Sequence, residues 1–310
     1  MIGAMYQPQR AARSEFVPVR NLRYHVNTWG DRSAERPPLV LLHGWMDVGA
    51  SWQFVVDAMR EARFIVAPDW RGYGQTDGGG VDNYWMADYL ADLEWLLDHY
   101  AGDGGVVDLV GHSMGGNIAM QYGGVRPQRV RRLVNLEGFG MPKVEPDRAP
   151  ARYGQWIDEL KKLHRGDSTL STYADADGVA RRLMKTNPRL APDKAGWLAR
   201  HWAAALPQAD GTERWQILGD AAHKIVNAHI FRVDEALALY RRISAPVLAV
   251  EANHDSFGGW WKGRYTLDEY HERLKQVADV RVEVVEDAGH MLHHDQPERV
   301  ASLIETFVAT

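Results

Sequence analysis

The feature that most constrains the fold is an alternation between short apolar runs and segments with helical periodicity. Runs of strand type occur at 20–29, 38–42, 64–67, 106–110, 133–136, 247–251 and 280–286. Helical patterns follow them at 83–100, 113–125, 267–278 and 297–308. A continuous apolar strand must be buried on both faces, which is typical of parallel strands covered by helices. We therefore predict an α/β fold with a mostly parallel central sheet and helices on both faces.

The alternation is interrupted between residues 141 and 240. Prolines punctuate this segment, and helical patterns fill it at 151–164, 178–185, 193–205 and 233–242, with no convincing strand between them. The strand-type runs that resume at 247 read as continuations of the same sheet. We therefore predict a core made of residues 1–140 and 241–310, with residues 141–240 inserted as a helical cap.

Composition excludes several kinds of protein. The chain of 310 residues contains no cysteine, which rules out disulfides, thiolate metal sites and a cysteine nucleophile. Its net charge of −5 argues against a general electrostatic affinity for nucleic acid or anionic lipid. No apolar run is long enough to span a membrane, and the first twenty residues lack the apolar region of a secretion signal. We expect a cytoplasmic protein, monomeric or homodimeric, without a membrane span or a nucleic-acid partner.

A glycine-rich turn carries the strongest chemical signal. Residues 111–115 read GHSMG and lie directly between a strand-type run and a helical segment. A strand that turns sharply into a helix holds the central serine in a strained, exposed conformation, and flanking glycines relieve the crowding. We therefore predict that Ser113 is a nucleophile.

Two backbone amides are candidates for an oxyanion hole. His43, Gly44 and Trp45 follow the strand at 38–42, where a loop can direct the Trp45 N–H towards the oxygen of a tetrahedral intermediate. The Met114 N–H, in the first turn of the helix after Ser113, would be the second donor.

A histidine and two carboxylates could complete the site. His290 follows the strand at 280–286, and a loop histidine at the carboxyl end of a late strand can reach a serine at the end of a central one. An acid should orient it. Asp255, after the strand at 247–251, and Glu137, after the strand at 133–136, both qualify, with a slight preference for Asp255.

We predict no metal and no cofactor. His293, His294 and Asp295 crowd near His290, but a loop followed by a helix start lacks an i,i+4 pair of ligands. His293 is expected to pack or to form hydrogen bonds within the fold.

Together these motifs resemble the α/β-hydrolase superfamily. The resemblance rests on HGW at 43–45, DWRGYG at 69–74, GHSMGG at 111–116, and GH at 289–290 with QPE at 296–298. It is closest to capped serine hydrolases of the serum-hydrolase-like and haloalkane-dehalogenase-like groups. The resemblance implies Ser113 as nucleophile, His290 as base, and the Trp45 and Met114 amides as oxyanion hole. Dehalogenases and epoxide hydrolases carry aspartate as nucleophile, so Ser113 argues against both activities.

The tryptophans indicate the character of the pocket. The chain has 12 of them, several inside or beside the inserted segment. Rings in these places would line a pocket suited to apolar or aromatic groups. We predict His43, Trp156 and Trp260 as pocket residues.

These residues predict a cofactor-free serine hydrolase. A carboxylesterase acting on small to medium apolar or aromatic esters through an acyl-enzyme is the first hypothesis. Other chemistry on the same fold is the second: C–C bond hydrolysis, amide hydrolysis, perhydrolysis or cofactor-free dioxygenation. A non-catalytic ligand receptor is the third, and an intact set of nucleophile, base and acid argues against it.

Overall fold

A sheet of eight strands forms the centre of the molecule. The structure, a computed structural model, describes residues 5–207, 211–254 and 256–309. The strand order is β1-β2-β4-β3-β5-β6-β10-β11. These strands are β1 (Arg13–Val19), β2 (Leu22–Trp29), β3 (Leu39–Leu42), β4 (Ile65–Pro68), β5 (Val107–His112), β6 (Val130–Leu136), β10 (Val247–Ala252) and β11 (Val280–Val285).

The sheet is mostly parallel, as predicted. From β4 to β11 every neighbouring pair is parallel, whereas β2 runs antiparallel to both β1 and β4. Strand β1 was missed by the sequence analysis. It lies at the edge of the sheet, where a strand can tolerate Pro18 and exposed side chains.

Helices cover both faces of the sheet. Alternate residues of β3 enter two separate cores: Val40 and Leu42 pack on the face covered by α2 and α3, and Leu39 and Leu41 on the face covered by α1 and α11. The helices of this part of the chain are α1 (Gln53–Ala58), α2 (Met86–Ala101), α3 (Met114–Val125), α8 (Ser256–Trp261), α9 (Leu267–Leu274), α10 (Leu292–Asp295) and α11 (Pro297–Ala309).

The segment 141–240 differs from its prediction. Its helices are α4 (Ala149–His164), α5 (Ala176–Thr186), α6 (Pro192–Trp202) and α7 (Val233–Tyr240). It also contains a three-stranded antiparallel sheet of β7 (Thr172–Tyr173), β9 (Glu213–Ile217) and β8 (Ala203–Pro207), in that order. The expectation that no strand interrupts these helices is therefore wrong, and the helix predicted over 193–205 ends at Trp202, where the chain becomes β8.

The topology brings the ends of several strands to one edge of the sheet. The carboxyl ends of β3, β5, β6, β10 and β11 all lie there, because these strands are parallel. Ligand sites of open α/β sheets form at such an edge. Within the described ranges, no helix combines the length and the apolar character needed to cross a bilayer.

Candidate active site

Ser113 occupies a strained turn between β5 and α3. Its backbone has φ 52° and ψ −113°, outside the conformations that a side chain normally favours. The turn requires glycine on both sides. A Cβ on Gly111 would lie 2.2 Å from the Gly115 carbonyl oxygen, and a Cβ on Gly115 would lie 2.3 Å from that of Leu42. The turn thus lifts the serine side chain above the strand end, as the sequence pattern predicts.

His290 lies beside Ser113. It follows β11 in the loop that precedes α10, and its Nε2 is 3.0 Å from Ser113 Oγ. Ser113 follows β5 and His290 follows β11, so the turns after these two strands bring the two atoms together at one edge of the sheet. The pair is within the range of a nucleophile hydrogen-bonded to its base.

Glu137 lies on the other side of the His290 ring. Its Oε2 is 3.2 Å from His290 Nδ1, and its Oε1 accepts a hydrogen bond of 2.7 Å from the Ala252 N–H. The residue directly follows β6 and has φ 56°, a left-handed conformation that turns its side chain away from the strand direction. The carboxylate is almost fully buried, at 2% exposure. Asp255, the other predicted acid, lies outside the described residues.

The surroundings of His290 favour its neutral form. Burial lowers its pKa to about 4, and the negative charge of Asp47 acts in the opposite direction. A neutral imidazole has one N–H and one lone pair. With Nδ1–H donating to Glu137, Nε2 presents its lone pair to the Ser113 hydroxyl, which is the tautomer that a general base needs.

The loop that carries Trp45, one of the two predicted oxyanion donors, packs directly against Ser113. A Cβ on Gly44 would lie 3.3 Å from the Ser113 Cβ. The Trp45 indole Nε1 donates a 3.1 Å hydrogen bond to the His223 carbonyl, which ties this loop to the segment 141–240. Met114 is the first residue of α3, where backbone N–H groups have no partner within the helix.

His43 supports this loop from below. Its ring is fully buried, at 0% exposure. Nε2 accepts a 2.9 Å hydrogen bond from the Trp70 N–H, and Nδ1 donates to the Gly44 carbonyl at 2.7 Å. Burial lowers the pKa of His43, so the ring stays neutral. Both ring nitrogens of His43 are therefore hydrogen-bonded to backbone groups, and this predicted pocket residue is not exposed.

The two predicted pocket tryptophans differ in position. Trp260, on α8, packs edge-on against His290 with ring centroids 4.3 Å apart, and 45% of the residue is exposed. Trp156 lies on α4 and is partly buried, and its indole Nε1 has no hydrogen-bond partner in the part of the chain that the structure describes. Only Trp260 is seen in contact with the Ser113–His290 pair.

The contact that His112 makes was not predicted from the sequence. Its Nε2 lies 2.7 Å from the His290 carbonyl oxygen, and since a carbonyl only accepts, Nε2 must carry the proton. Burial lowers the pKa of His112 to about 3, which keeps it neutral. The signal was present in the sequence, because His112 directly precedes Ser113.

Next to His112 lies a buried group of side chains of the types that bind metals. Potential ligand atoms of Asp47, His293 and His294 lie within 4.8 Å of one another. Both oxygens of Asp47 already accept hydrogen bonds, from the Val48 N–H and the Ser51 hydroxyl. The His293 ring packs on Trp52 and His112, as a packing role predicts. The absence of a metal stays a prediction.

Comparisons with known proteins agree with this architecture. A family model for the alpha/beta hydrolase fold matches residues 37–297. A serine hydrolase-like protein of Danio rerio is 27% identical over 310 residues, covering 96% of this chain and 89% of the relative. The thioesterase domain from the curacin biosynthetic pathway is structurally similar with a TM-score of 0.79 at 21% identity, covering 95% of this chain and 99% of its own. An esterase from Mycobacterium tuberculosis has a TM-score of 0.66 at 18% identity, covering 97% and 92%.

The family match spans most of the chain, from before β3 to the start of α11. The solved structures are similar over nearly their whole lengths, which extends the shared fold through the inserted segment. The predicted resemblance is thus confirmed: the chain belongs to the α/β-hydrolase superfamily, and this membership supports hydrolase activity.

Proposed function

We propose that this protein is a serine carboxylesterase that acts through an acyl-enzyme. The observation that carries the proposal is the continuous contact from Ser113 Oγ to His290 Nε2, at 3.0 Å, and from His290 Nδ1 to Glu137 Oε2, at 3.2 Å. A hydroxyl, a neutral imidazole and a buried carboxylate in this order can activate an alcohol at neutral pH.

In the first half-reaction, Ser113 Oγ attacks the ester carbonyl carbon while His290 Nε2 takes the hydroxyl proton. The imidazolium that forms donates its Nδ1–H to a carboxylate, which stabilises the new positive charge. The carbonyl oxygen becomes negative and accepts hydrogen bonds from the Trp45 and Met114 amides. Each such donor is typically worth about 3–4 kcal/mol of transition-state stabilisation. The intermediate then expels the alcohol, which receives the proton from His290.

In the second half-reaction, water attacks the acyl-enzyme. His290 removes a proton from this water, the C–O bond to Ser113 breaks, and Oγ takes the proton back. The products are a carboxylic acid and the free enzyme. No cofactor enters either half, and none is expected.

For the acid, the contact with His290 favours Glu137, and Asp255 is the alternative. The Glu137 carboxylate is held by the Ala252 N–H while its second oxygen faces the imidazole. A carboxylate fixed in this way can hold the histidine tautomer without reorganising during the reaction.

We further propose that residues 141–240 act as a cap over the site. The Trp45 indole bond to His223 connects the cap to the oxyanion loop, and Trp260 contributes an aromatic wall beside His290. Such a wall suits small to medium apolar or aromatic esters. Since one structural neighbour is a thioesterase domain, thioesters of the same acyl groups belong in the substrate panel. A cytoplasmic location and a monomeric or homodimeric state remain predictions.

The decisive experiment is to combine a p-nitrophenyl ester panel with labelling by a fluorophosphonate probe. Ser113→Ala should abolish both hydrolysis and labelling, and Ser171→Ala, at an exposed serine outside the proposed site, should affect neither. Undiminished hydrolysis in Ser113→Ala would refute the assignment of the nucleophile. An intact wild-type protein that neither hydrolyses an ester nor reacts with the probe would favour the receptor hypothesis.

A further inference from the structure

A large cavity opens between the cap and the core. Its volume is about 1040 Å³, at the upper end of what small-molecule sites usually enclose. Core residues of α2 and α3 form one side, and residues of the 141–152 and 226–239 stretches form the other. No residue of the Ser113–His290–Glu137 group lines it, so the mechanism proposed above does not use this space.

Three residues that line the cavity nevertheless lie close in the chain to residues of the proposed site. Asn117 lines it and lies one helical turn beyond Ser113, to whose carbonyl its N–H donates at 3.0 Å. Gly140 lines it three residues after Glu137. Trp261 lines it and follows Trp260, whose ring touches His290. The cavity is therefore the candidate space for a chain attached to an ester carbonyl at Ser113.

The walls are largely apolar, with aromatic rings and aliphatic side chains from both the cap and the core. They include Trp85, Leu90, Val144, Phe231 and Leu239. Such walls favour an alkyl or aryl chain, because burying apolar surface is the main source of affinity in pockets of this kind.

The charged groups around these walls are mostly cationic. Lys143, Arg152, Arg232 and Arg264 line the cavity, and Glu235 is the single acidic residue among its lining residues. Arg232 pairs with Glu235 at 2.9 Å, and Lys143 pairs with Glu145 at 2.9 Å.

Arg152 and Arg264 differ from the other two cations. Across the described ranges, neither guanidinium has a carboxylate partner within ion-pair distance. Arg152 is half-buried, and the Arg264 Nε donates a 3.4 Å hydrogen bond to the Trp261 carbonyl. In a chain of net charge −5, a cavity with two guanidinium groups that have no carboxylate partner among the described residues is a local exception. Guanidinium groups bind carboxylate, sulfate and phosphate through paired hydrogen bonds.

We propose that this protein prefers esters with an apolar chain that ends in an anionic group, and that Arg152 and Arg264 bind this group while the cavity walls bind the chain. The inference rests on the proposed esterase function, which it sharpens by naming a substrate class. In this proposal the reacting carbonyl lies at Ser113, the chain passes Asn117 and Trp261, and the anion lies at the two arginines.

The test compares esters that differ only in the terminal charge. Mono-p-nitrophenyl suberate carries a carboxylate on the acyl side, and p-nitrophenyl octanoate is its neutral match. For the alcohol side, 8-acetoxyoctanoate is matched by octyl acetate. We expect kcat/KM for at least one anionic ester to exceed that of its neutral match by about tenfold.

The variant Arg152→Gln/Arg264→Gln should remove this preference by raising KM for the anionic ester about tenfold, with kcat and the neutral ester unchanged. The control Arg148→Gln/Lys161→Gln removes two exposed charges that do not line the cavity, and it should keep the preference. Equal kcat/KM for both members of each pair in wild type would overturn the inference, as would a preference that survives in the arginine variant.

Binding to Ser113→Ala separates this inference from the proposed function. Calorimetry with mono-p-nitrophenyl suberate and that variant measures affinity without turnover. A tenfold weaker Kd when both arginines are also replaced would support the anion site even if Ser113 proved not to be a nucleophile. An unchanged Kd would overturn it even if the esterase function held.

Discussion

The Nε2–H of His112 donates a 2.7 Å hydrogen bond to the backbone carbonyl of His290. The residue that precedes the proposed nucleophile therefore holds the loop of the residue that would activate it. The contact joins the end of β5 to the loop after β11; His112 is buried and His290 is partly buried. The bond thus fixes the position of the His290 backbone relative to Ser113, independently of the bond made by the His290 ring.

We expect His112→Leu to lower kcat about a hundredfold with little change in KM. Without this bond the His290 loop can shift, and misplacing a reacting group by about 1 Å can cost that much. His112→Gln keeps an N–H donor and should recover most of the activity. His99→Gln, which changes an exposed histidine of α2, is the control. If His112→Gln is as impaired as His112→Leu while both unfold like wild type, the donor role is wrong.

The two candidate acids can be separated by paired substitutions. Glu137→Gln keeps an acceptor for the Ala252 N–H but loses the charge that faces His290, so we expect kcat to fall by about 10⁴-fold. Asp255→Asn should change kcat by less than about threefold if Glu137 is the acid. The measurement is kcat for ester hydrolysis, with unfolding by urea to exclude loss of the fold. The reverse pattern would assign the role to Asp255, as the sequence analysis slightly preferred.

Several residues of the candidate site were predictable because short local sequence patterns indicate them. Ser113 is marked by the glycines that its turn requires, and His290 by its position after a late strand. The choice between Glu137 and Asp255 was not predictable, since both follow the carboxyl end of a strand. The Glu137 side chain is directed to His290 by a left-handed backbone with φ 56°. A glutamate does not indicate such a backbone conformation in the sequence. His43 was misread because a histidine after a strand can face either the pocket or the backbone of its own loop.

Most strands of the central sheet were predictable because their apolar runs are continuous. The strands that form only by pairing with a distant segment were not. Residues 203–205 are all alanine, which favours helix, so the predicted helix continued through them to residue 205. They form a strand because they pair with β9, whose residues 213–217 include the polar Glu213, Arg214 and Gln216. Neither partner looks like a strand alone. Strand preference depends on such cross-strand neighbours, which a single sequence does not reveal.

The pH dependence of activity follows from the burial of His290. Because the neutral imidazole is the active form and its pKa is lowered to about 4, kcat/KM should rise with pH through about 4 and then stay level through neutrality. An unperturbed histidine would give a midpoint near 6.5. Initial rates across this range, with tryptophan fluorescence to follow the fold, provide the measurement. A midpoint near 6.5 in folded protein would show that burial does not control this group.

The burial of two other histidines makes the fold sensitive to acid. His112 and His223 have pKa values lowered to about 3, so they stay neutral in the folded state and take up protons only on unfolding. The unfolded state then binds more protons below about pH 6.5, and stability falls as pH falls. Each group should cost about 1 kcal/mol between about pH 7 and pH 5.5. Urea unfolding at both values checks this, and His223→Gln should reduce the loss. An equal free energy of unfolding at both pH values would contradict it.

Two glycines that lie close to Ser113 should respond differently to substitution by alanine. A Cβ on Gly44 would lie 3.0 Å from His112 Nδ1 and 3.3 Å from Ser113 Cβ, so a small shift of the loop can accommodate it. That shift would move the neighbouring Trp45 amide away from the proposed oxyanion. We expect Gly44→Ala to lower kcat by about tenfold to a hundredfold, since a lost donor typically costs about that or more.

Gly115→Ala should behave differently. Its Cβ would lie 2.3 Å from the Leu42 carbonyl oxygen, a backbone atom that cannot move without displacing β3 from α3. We expect it to destabilise the fold by a few kcal/mol, as forced overpacking does. Gly154→Ala, on α4, meets nothing within 4 Å and is the control for both. Steady-state kinetics and urea unfolding of all three variants measure the effects on kcat and on the free energy of unfolding separately. If Gly44→Ala loses stability rather than kcat, the loop supports the fold and does not position an oxyanion donor.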